Sequence, residues 1–291
     1  MTNSRGIPFV PILAAVVMFG SAFPATKAAL RGYSPGPLSL LRFTVASAAI
    51  AVVVAALRVS LPPRRELPRL IVVGLMLNTL YHILFSYGQR VISAGSASVL
   101  INTGAIWTAI VAALALKERP DRFLWVGLFL SFAGATLIAL GTGGQFRGGT
   151  GALLVLGAAA LQGSAFVMQK PLASKYNPIG VAAITVWVGA AGLAVLFARD
   201  LWFEVATAPS AATIAIVYLG MASTIALASW AYVLSRMPAA QAAPFILLVP
   251  VVATTIAAIW LHEIPGWLTG LGGLLTLGGI FLAQRTRPKT G

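Results

Sequence analysis

One eight-residue stretch is written twice, each time inside an apolar run. Gly20-Ser21-Ala22-Phe23-Pro24-Ala25-Thr26-Lys27 returns, partly altered, 143 residues later as Gly163-Ser164-Ala165-Phe166-Val167-Met168-Gln169-Lys170. A tyrosine and a proline follow each copy at the same offset, Tyr33 and Pro35, then Tyr176 and Pro178. Leu116-Lys117-Glu118-Arg119-Pro120 is matched by Leu261-His262-Glu263-Ile264-Pro265 at an offset of 145, and behind it Gly127 and Gly134 fall on Gly272 and Gly279. Two near-equal halves matched at both ends imply one structural unit used twice. The expected boundaries are 1–142 and 150–285, with a glycine-rich linker between them.

The unit is a membrane one. Apolar runs of roughly 18 to 25 residues recur along the chain, and each is long enough to cross a bilayer as a helix. The chain is 59% hydrophobic and 9% charged, against about 25% charged in soluble domains. That leaves too little charge to clothe a water-facing surface. The runs predict ten transmembrane helices: Ile7–Leu30, Pro37–Leu57, Leu70–Gln89, Ala94–Leu116 and Phe123–Gly141, then Gly151–Gln169, Pro178–Ala198, Ala211–Leu234, Ala239–Leu261 and Pro265–Gln284. The fold class is therefore an all-α membrane protein in two five-helix repeats. The first run is expected to be retained rather than cleaved as a signal peptide, because its motif is reused deep in the chain.

A net charge of +14 would suit nucleic acid if the cations shared a face. They sit instead in the short gaps between apolar runs, so no nucleic-acid partner is expected. With the N-terminus inside, the cytoplasmic gaps collect Arg5, Arg58, Arg64, Arg65, Arg69, Lys117, Arg119, Arg122, Lys170, Lys175, Arg236, Arg285, Arg287 and Lys289. The outer gaps collect Lys27, Arg31, Arg90, Arg147 and Arg199. This asymmetry puts both termini in the cytoplasm. Five spans per half means that the second copy enters from the opposite side, so the repeat is inverted about an axis in the membrane plane. Such pairs expose a midplane cavity to one side and then the other.

These features resemble the drug/metabolite transporter superfamily, EamA type. The residues that carry the likeness are the Gly-Ser-Ala-Phe of the first helix, the Pro-rich entry to the second with Leu41-Arg42-Phe43, and Glu118 and Glu263 just after the fourth and ninth helices. Tyr81-His82 in the third helix is similar to a Tyr-His pair in the YddG-like aromatic amino acid exporters, whose central cavity is lined by aromatics of the third, fourth and sixth helices. The present chain has Phe85, Asn102, Trp107 and Phe166 in those helices. The resemblance implies a multi-pass protein of the bacterial inner membrane that exports small metabolites, aromatic or neutral amino acids foremost.

The residues themselves add candidates. Unpaired polar groups in hydrocarbon cost several kcal/mol, so each in-span polar residue needs a partner or a role. His82 lies too deep to snorkel, and Asn78 one turn earlier is a natural partner for it. A cavity role and a helix–helix bond are both open for His82, and equally for the amides Asn78, Asn102 and Gln162. Arg42, near a span end, either snorkels outward, bonds backbone carbonyls, or meets substrate; with Glu118 and Glu263 it is read as structural. Tyr81, Phe85, Phe166, Trp107, Trp187 and Trp230 could line the cavity or face lipid, while Trp125, Trp202, Trp260 and Trp267 read as interfacial belt. Pro24, Pro244 and Pro250 break helical bonds and serve as hinges or packing kinks. Gly127 with Ser131, and Gly266 with Gly270, suggest close helix seams.

No cofactor or metal is implied. The acids are Glu66, Glu118, Asp121, Asp200, Glu204 and Glu263, all at span ends or in loops, so no carboxylate relay is available inside the bilayer. Downhill export is the primary expectation, with proton antiport through His82 or efflux of other metabolites and drugs as alternatives. A membrane enzyme lacks a nucleophile–base set, and a channel fits an inverted repeat less well than alternating access. The expected partners are a small-molecule substrate and the lipid bilayer. A monomer is the expected state, with a dimer left open.

Overall fold

A computed structural model describes residues 7–91, 97, 100–141, 149–252, 255 and 266–285. Trp260, His262, Glu263 and nearly all of the linker lie outside the described residues. Among those described, every regular element is helical. Seven helices have the length and apolarity to cross a bilayer: Phe9–Ala29 (α1), Pro35–Ala56 (α2), Arg64–Val91 (α3), Thr150–Lys175 (α6), Pro178–Val205 (α7), Ser210–Arg236 (α8) and Trp267–Gln284 (α10). Three more apolar helices are shorter as described: Leu100–Ala115 (α4), one starting at Arg122 and running to Gly141 (α5), and Ala239–Val252 (α9). The chain is thus an all-α membrane protein whose helices follow the expected order.

Several helices differ from expectation at their ends and middles. Both α6 and α7 run several residues further than their apolar cores, into charged sequence. The chain opens α2 and α7 with Pro35 and Pro178, whose missing N–H costs nothing in a first turn. Asn177 caps α7 by accepting a bond from Ile179 N at 3.0 Å. Inside α3, Leu75–Leu80 widens into a π turn.

The helices pack as two compact units that do not follow the repeat boundaries. One holds α1, α2, α3 through Tyr87, the end of α6 from Met168, α7 and α8. The other holds α3 from Gly88, α4, α5, α6 through Val167, α9 and α10. Each unit draws helices from both repeats.

In the second unit, α5 and α10 form a reciprocal seam. A Cβ on Gly134 would lie 2.5 Å from Gly272 O, and one on Gly272 would lie 2.6 Å from Gly134 O. Gly127 and Gly279 face each other's carbonyls in the same way, and Ser131 Oγ donates to Thr276 O at 3.1 Å. At the offset of 145, Gly127 corresponds to Gly272, Ser131 to Thr276 and Gly134 to Gly279. Each position therefore meets the counterpart of its partner, the mark of a two-fold interface. The two helices run antiparallel, as inverted copies must. The seam of α10 uses Gly272, Thr276 and Gly279; at the expected Gly266 and Gly270 a Cβ would have no described residue within 4 Å.

The first unit repeats one docking device twice. Gly74 lets α3 approach Thr185 O and Val188 of α7, and Thr79 Oγ1 donates to Gly189 O at 3.2 Å. Gly220 lets α8 approach Val45 and Arg42 O of α2, and Thr224 Oγ1 donates to Ala46 O at 3.2 Å. The entry turns of α2 and α7 are each held by an acid. Ser34 N and Oγ donate to Glu204 at 2.8 and 2.6 Å, and Tyr176 OH donates to Glu66 at 2.8 Å.

Candidate functional site

The first unit gathers Phe23, Arg42, Phe43, Tyr81, His82 and Phe85 into one cluster. It grows from the π turn of α3. A π turn closes i→i+5 bonds and carries an extra residue, so side chains beyond it are rotated by about 100° from their α-helical places. Residues four apart no longer stack across it. Asn78 accordingly does not pair with His82: its Nδ2 donates to Thr185 O at 2.9 Å, and it packs flat against Gly189 of α7. Asn78 Oδ1 is buried without a partner among the described residues.

One turn on, Tyr81, His82 and Phe85 face other rings. The Tyr81 and His82 rings meet edge-on at 4.7 Å between centroids, and Tyr81 stacks on Phe85 at 5.6 Å and 7°. Phe43 of α2 meets the His82 ring at 4.7 Å, and Phe23 of α1 meets Phe85 at 6.0 Å. Edge-to-face pairs set the positive rim of one ring against the negative face of the next, which locks the orientation of each. His82 is 8% exposed, Phe85 7% and Phe43 fully buried. Ser39 and Ser86 share a bond at 3.3 Å close by in sequence.

Arg42 belongs to this cluster rather than to the interface. It is 8% exposed, and its Nε donates to Ser223 Oγ of α8 at 2.7 Å. Ser223 passes its own proton to Leu219 O at 2.6 Å. The guanidinium carbon stands 6.0 Å from the Phe43 centroid. Among the described residues Arg42 bonds a hydroxyl and no backbone carbonyl, and it is buried instead of snorkelling outward. Sequence reasoning passed over Phe23, Phe43 and Ser223 as site residues. The first two stood inside the quoted motifs Gly-Ser-Ala-Phe and Leu-Arg-Phe, whereas nothing distinguished Ser223.

The remaining candidates of this unit are placed differently. Trp187 Nε1 donates to Ser47 O at 3.2 Å, tying α7 to α2. Trp230 is 1% exposed within α8. Pro24 lies exposed in an uninterrupted α1. An apolar surface cavity of about 450 Å³ between Pro8–Pro11, Ile179, Ala228, Ser229 and Tyr232 shares no residue with the cluster.

In the second unit, α4 and α6 cross where Gly163 of the repeated motif approaches Gly104 O, Thr108 N and the Cβ of Trp107. Gln162 sits at this crossing, with Oε1 3.0 Å from where a Cβ on Gly104 would be. Phe166 is buried, while Trp107 is 42% exposed. Asn102 is 2% exposed, with Nδ2 unpartnered among the described residues. The α4 helix is interrupted beside it, at Thr103, and α9 is interrupted at Leu247–Leu248, the matching position at the offset of 145. Buried Pro244 and Pro250 bracket the second break. Glu118 accepts bonds from Ala239 N and Ala240 N at 3.0 and 2.9 Å, capping α9 with a negative charge at its positive end. Glu263, its repeat counterpart, lies outside the described residues.

Among the described residues no group of three or more His, Asp or Glu could hold a metal. The chemistry on offer is recognition in an apolar surround. Flat rings, an imidazole and a cation are held in fixed orientation by neighbouring helices.

Known proteins give this arrangement a context. The EamA-like transporter family matches the chain twice, over residues 6–140 and 149–284. A protein of Streptantibioticus cattleyicolor named as a probable terminal-alkyne amino-acid exporter is 38% identical over 93% of this chain and 91% of its own length. The uncharacterized transporter YdfC of Bacillus subtilis (strain 168) is 35% identical over 90% of this chain and 86% of its own length. A probable amino-acid metabolite efflux pump of Escherichia coli (strain K12) is 26% identical, with 93% and 92% covered. One solved structure shares the fold with a TM-score of 0.80 at 19% identity, covering 97% of this chain and 99% of that one. With both halves matched, the chain is a multi-pass membrane transporter and belongs to the EamA-like transporter family.

Proposed function

We propose that the protein exports neutral amino acids, aromatic or otherwise unsaturated ones foremost, across the bacterial cytoplasmic membrane by alternating access, with both termini in the cytoplasm. The observation that carries this reading is the cluster of buried Arg42, Phe43, His82 and Phe85 with half-buried Phe23 and Tyr81 in one unit of a transporter. Ionisable groups inside spans mark substrate or ion paths by default. Fixed aromatic faces suit a flat or unsaturated side chain. The names of the two amino-acid relatives point to the same substrate class. The inverted repeat, with its antiparallel seam, supplies the symmetry that alternating access uses.

Export runs downhill in this reading. The described acids that make bonds do so at helix ends: Glu66 on Tyr176, Glu118 on α9, Asp121 on Leu124 N and Glu204 on Ser34. None stands beside His82 as a proton relay. Proton antiport through His82 is the second reading, because His82 is an ionisable side chain within a span. The test is counterflow in proteoliposomes with labelled phenylalanine, tyrosine, tryptophan, threonine and methionine, with and without a pH gradient. Saturable, trans-stimulated exchange without a gradient is the expected result. Absence of exchange for every amino acid, or transport that strictly requires the gradient, would overturn the substrate or the downhill assignment respectively.

A further inference from the structure

We propose that Arg42 is the anchor for a carboxylate group of the transported molecule, which it grips with the two terminal nitrogens of its guanidinium. The assignment rests on the cluster's being the substrate site, and it adds the atom that holds the substrate and the group that is held.

Arg42 carries a charge that no described residue balances. A guanidinium has five N–H donors in a rigid fork and stays charged at any biological pH. Arg42 is 8% exposed within a membrane-spanning helix. Its one hydrogen bond among the described residues is from Nε to Ser223 Oγ. The ion pairs among the described residues all involve Glu66, so none of those residues supplies Arg42 with a counter-ion. A buried charge is expensive unless it is paired and its donors are used. Among the described residues four of the five donors have no partner, which is the condition of a receptor and not of a brace.

The local bonding says how the partner arrives. Ser223 gives its proton to Leu219 O and so presents a lone pair to Nε. This fixes the guanidinium's inner edge and its plane. The free edge carries the two Nη groups, which match a carboxylate end-on with two parallel bonds. The aromatic wall of Phe43, His82, Tyr81, Phe85 and Phe23 then lies on the same unit as the anchor, ready for the rest of a small amphipathic molecule. A carboxylate-bearing head and an apolar or unsaturated tail is the chemistry this combination recognises.

Binding to purified protein tests the anchor apart from transport. The probes are phenylalanine and methionine, their carboxamides, 3-phenylpropionate with its amide, and inorganic phosphate. In the wild type each acid should bind about 10- to 100-fold more tightly than its amide, the factor for a charge-assisted bond pair. Arg42→Gln should remove that preference by weakening the acids and leaving the amides unchanged. Ser223→Ala frees the guanidinium plane but leaves its charge, so it should reduce the preference without removing it. Should Arg42→Gln fail to fold, the acid–amide comparison in the wild type and in Arg42→Lys decides alone: a single ammonium should retain part of the preference. Equal binding of acid and amide, no binding of any acid at millimolar concentration, or phosphate binding as well as the acids would each overturn the assignment. Acid-selective binding without exchange in proteoliposomes would leave the anchor standing and remove the export reading instead.

Discussion

Replacing Gly134 by alanine probes the seam that makes the fold two-fold. The new Cβ would stand 2.5 Å from Gly272 O, Thr276 N and Thr276 Oγ1. Ordinary contact begins near 3.5 Å, so α5 and α10 must part by about 1 Å. Two of the three obstructing atoms are backbone, and Thr276 Oγ1 is held by its bond to Gly272 O at 2.8 Å. Overpacking of this kind costs about 1–3 kcal/mol. Loss of the Ser131–Thr276 bond adds about 0.6 kcal/mol, and the better helix propensity of alanine returns about 0.5–1 kcal/mol. The net is about 2 kcal/mol, or a fall of about 4–8 °C in the apparent Tm of a chain of a few hundred residues. Gly272→Ala should cost a similar amount, because its Cβ would meet Gly134 O at 2.6 Å and Ile138 N at 2.8 Å. The double variant should cost about 1 kcal/mol less than the sum, since the first substitution has already parted the helices that the second would push. Gly270→Ala and Gly273→Ala on the same helix meet nothing within 4 Å and should be neutral or slightly stabilising. Thermal unfolding of detergent-solubilised protein, followed by tryptophan fluorescence, reads all five. If Gly134→Ala melts with the wild type, or Gly270→Ala falls as far as Gly134→Ala, the reciprocal seam is not what holds α5 to α10.

Glu118→Ala removes the carboxylate that caps α9 at Ala239 and Ala240 and should cost about 1–2 kcal/mol in the same melt, with Glu118→Gln recovering part. An unchanged melt would mean that the cap contributes nothing. Trp187→Phe keeps most of the packing but loses the bond to Ser47 O, so it should cost about 1 kcal/mol, against about 3–5 kcal/mol for Trp187→Ala; equal costs would show that packing at this site is unimportant. His82→Gln removes one ring of the aromatic wall and should weaken counterflow to a similar degree with and without a pH gradient; selective loss of gradient-driven transport would instead establish proton coupling.

Length, composition and self-similarity suffice to place ten apolar helices and to invert one five-helix half upon the other, because a bilayer demands long apolar helices and an odd number of spans reverses direction. Even the matching of Gly127 and Gly134 to Gly272 and Gly279 is written in the repeat. What the sequence leaves open is which side of each helix meets protein. In a soluble helix the polar face betrays the buried one; here lipid and core are both apolar, so the pattern around the helix carries little. Gly270 and Gly272 look alike in sequence, and only the helix that lies opposite makes one of them a seam. Asn78 and His82 sit four residues apart and read as partners until a π turn rotates them onto different neighbours. Arg42 reads as a residue near a span end, free to reach water, until Ser223 from another part of the chain closes over it. Those choices belong to tertiary packing, because each depends on an atom brought from another helix.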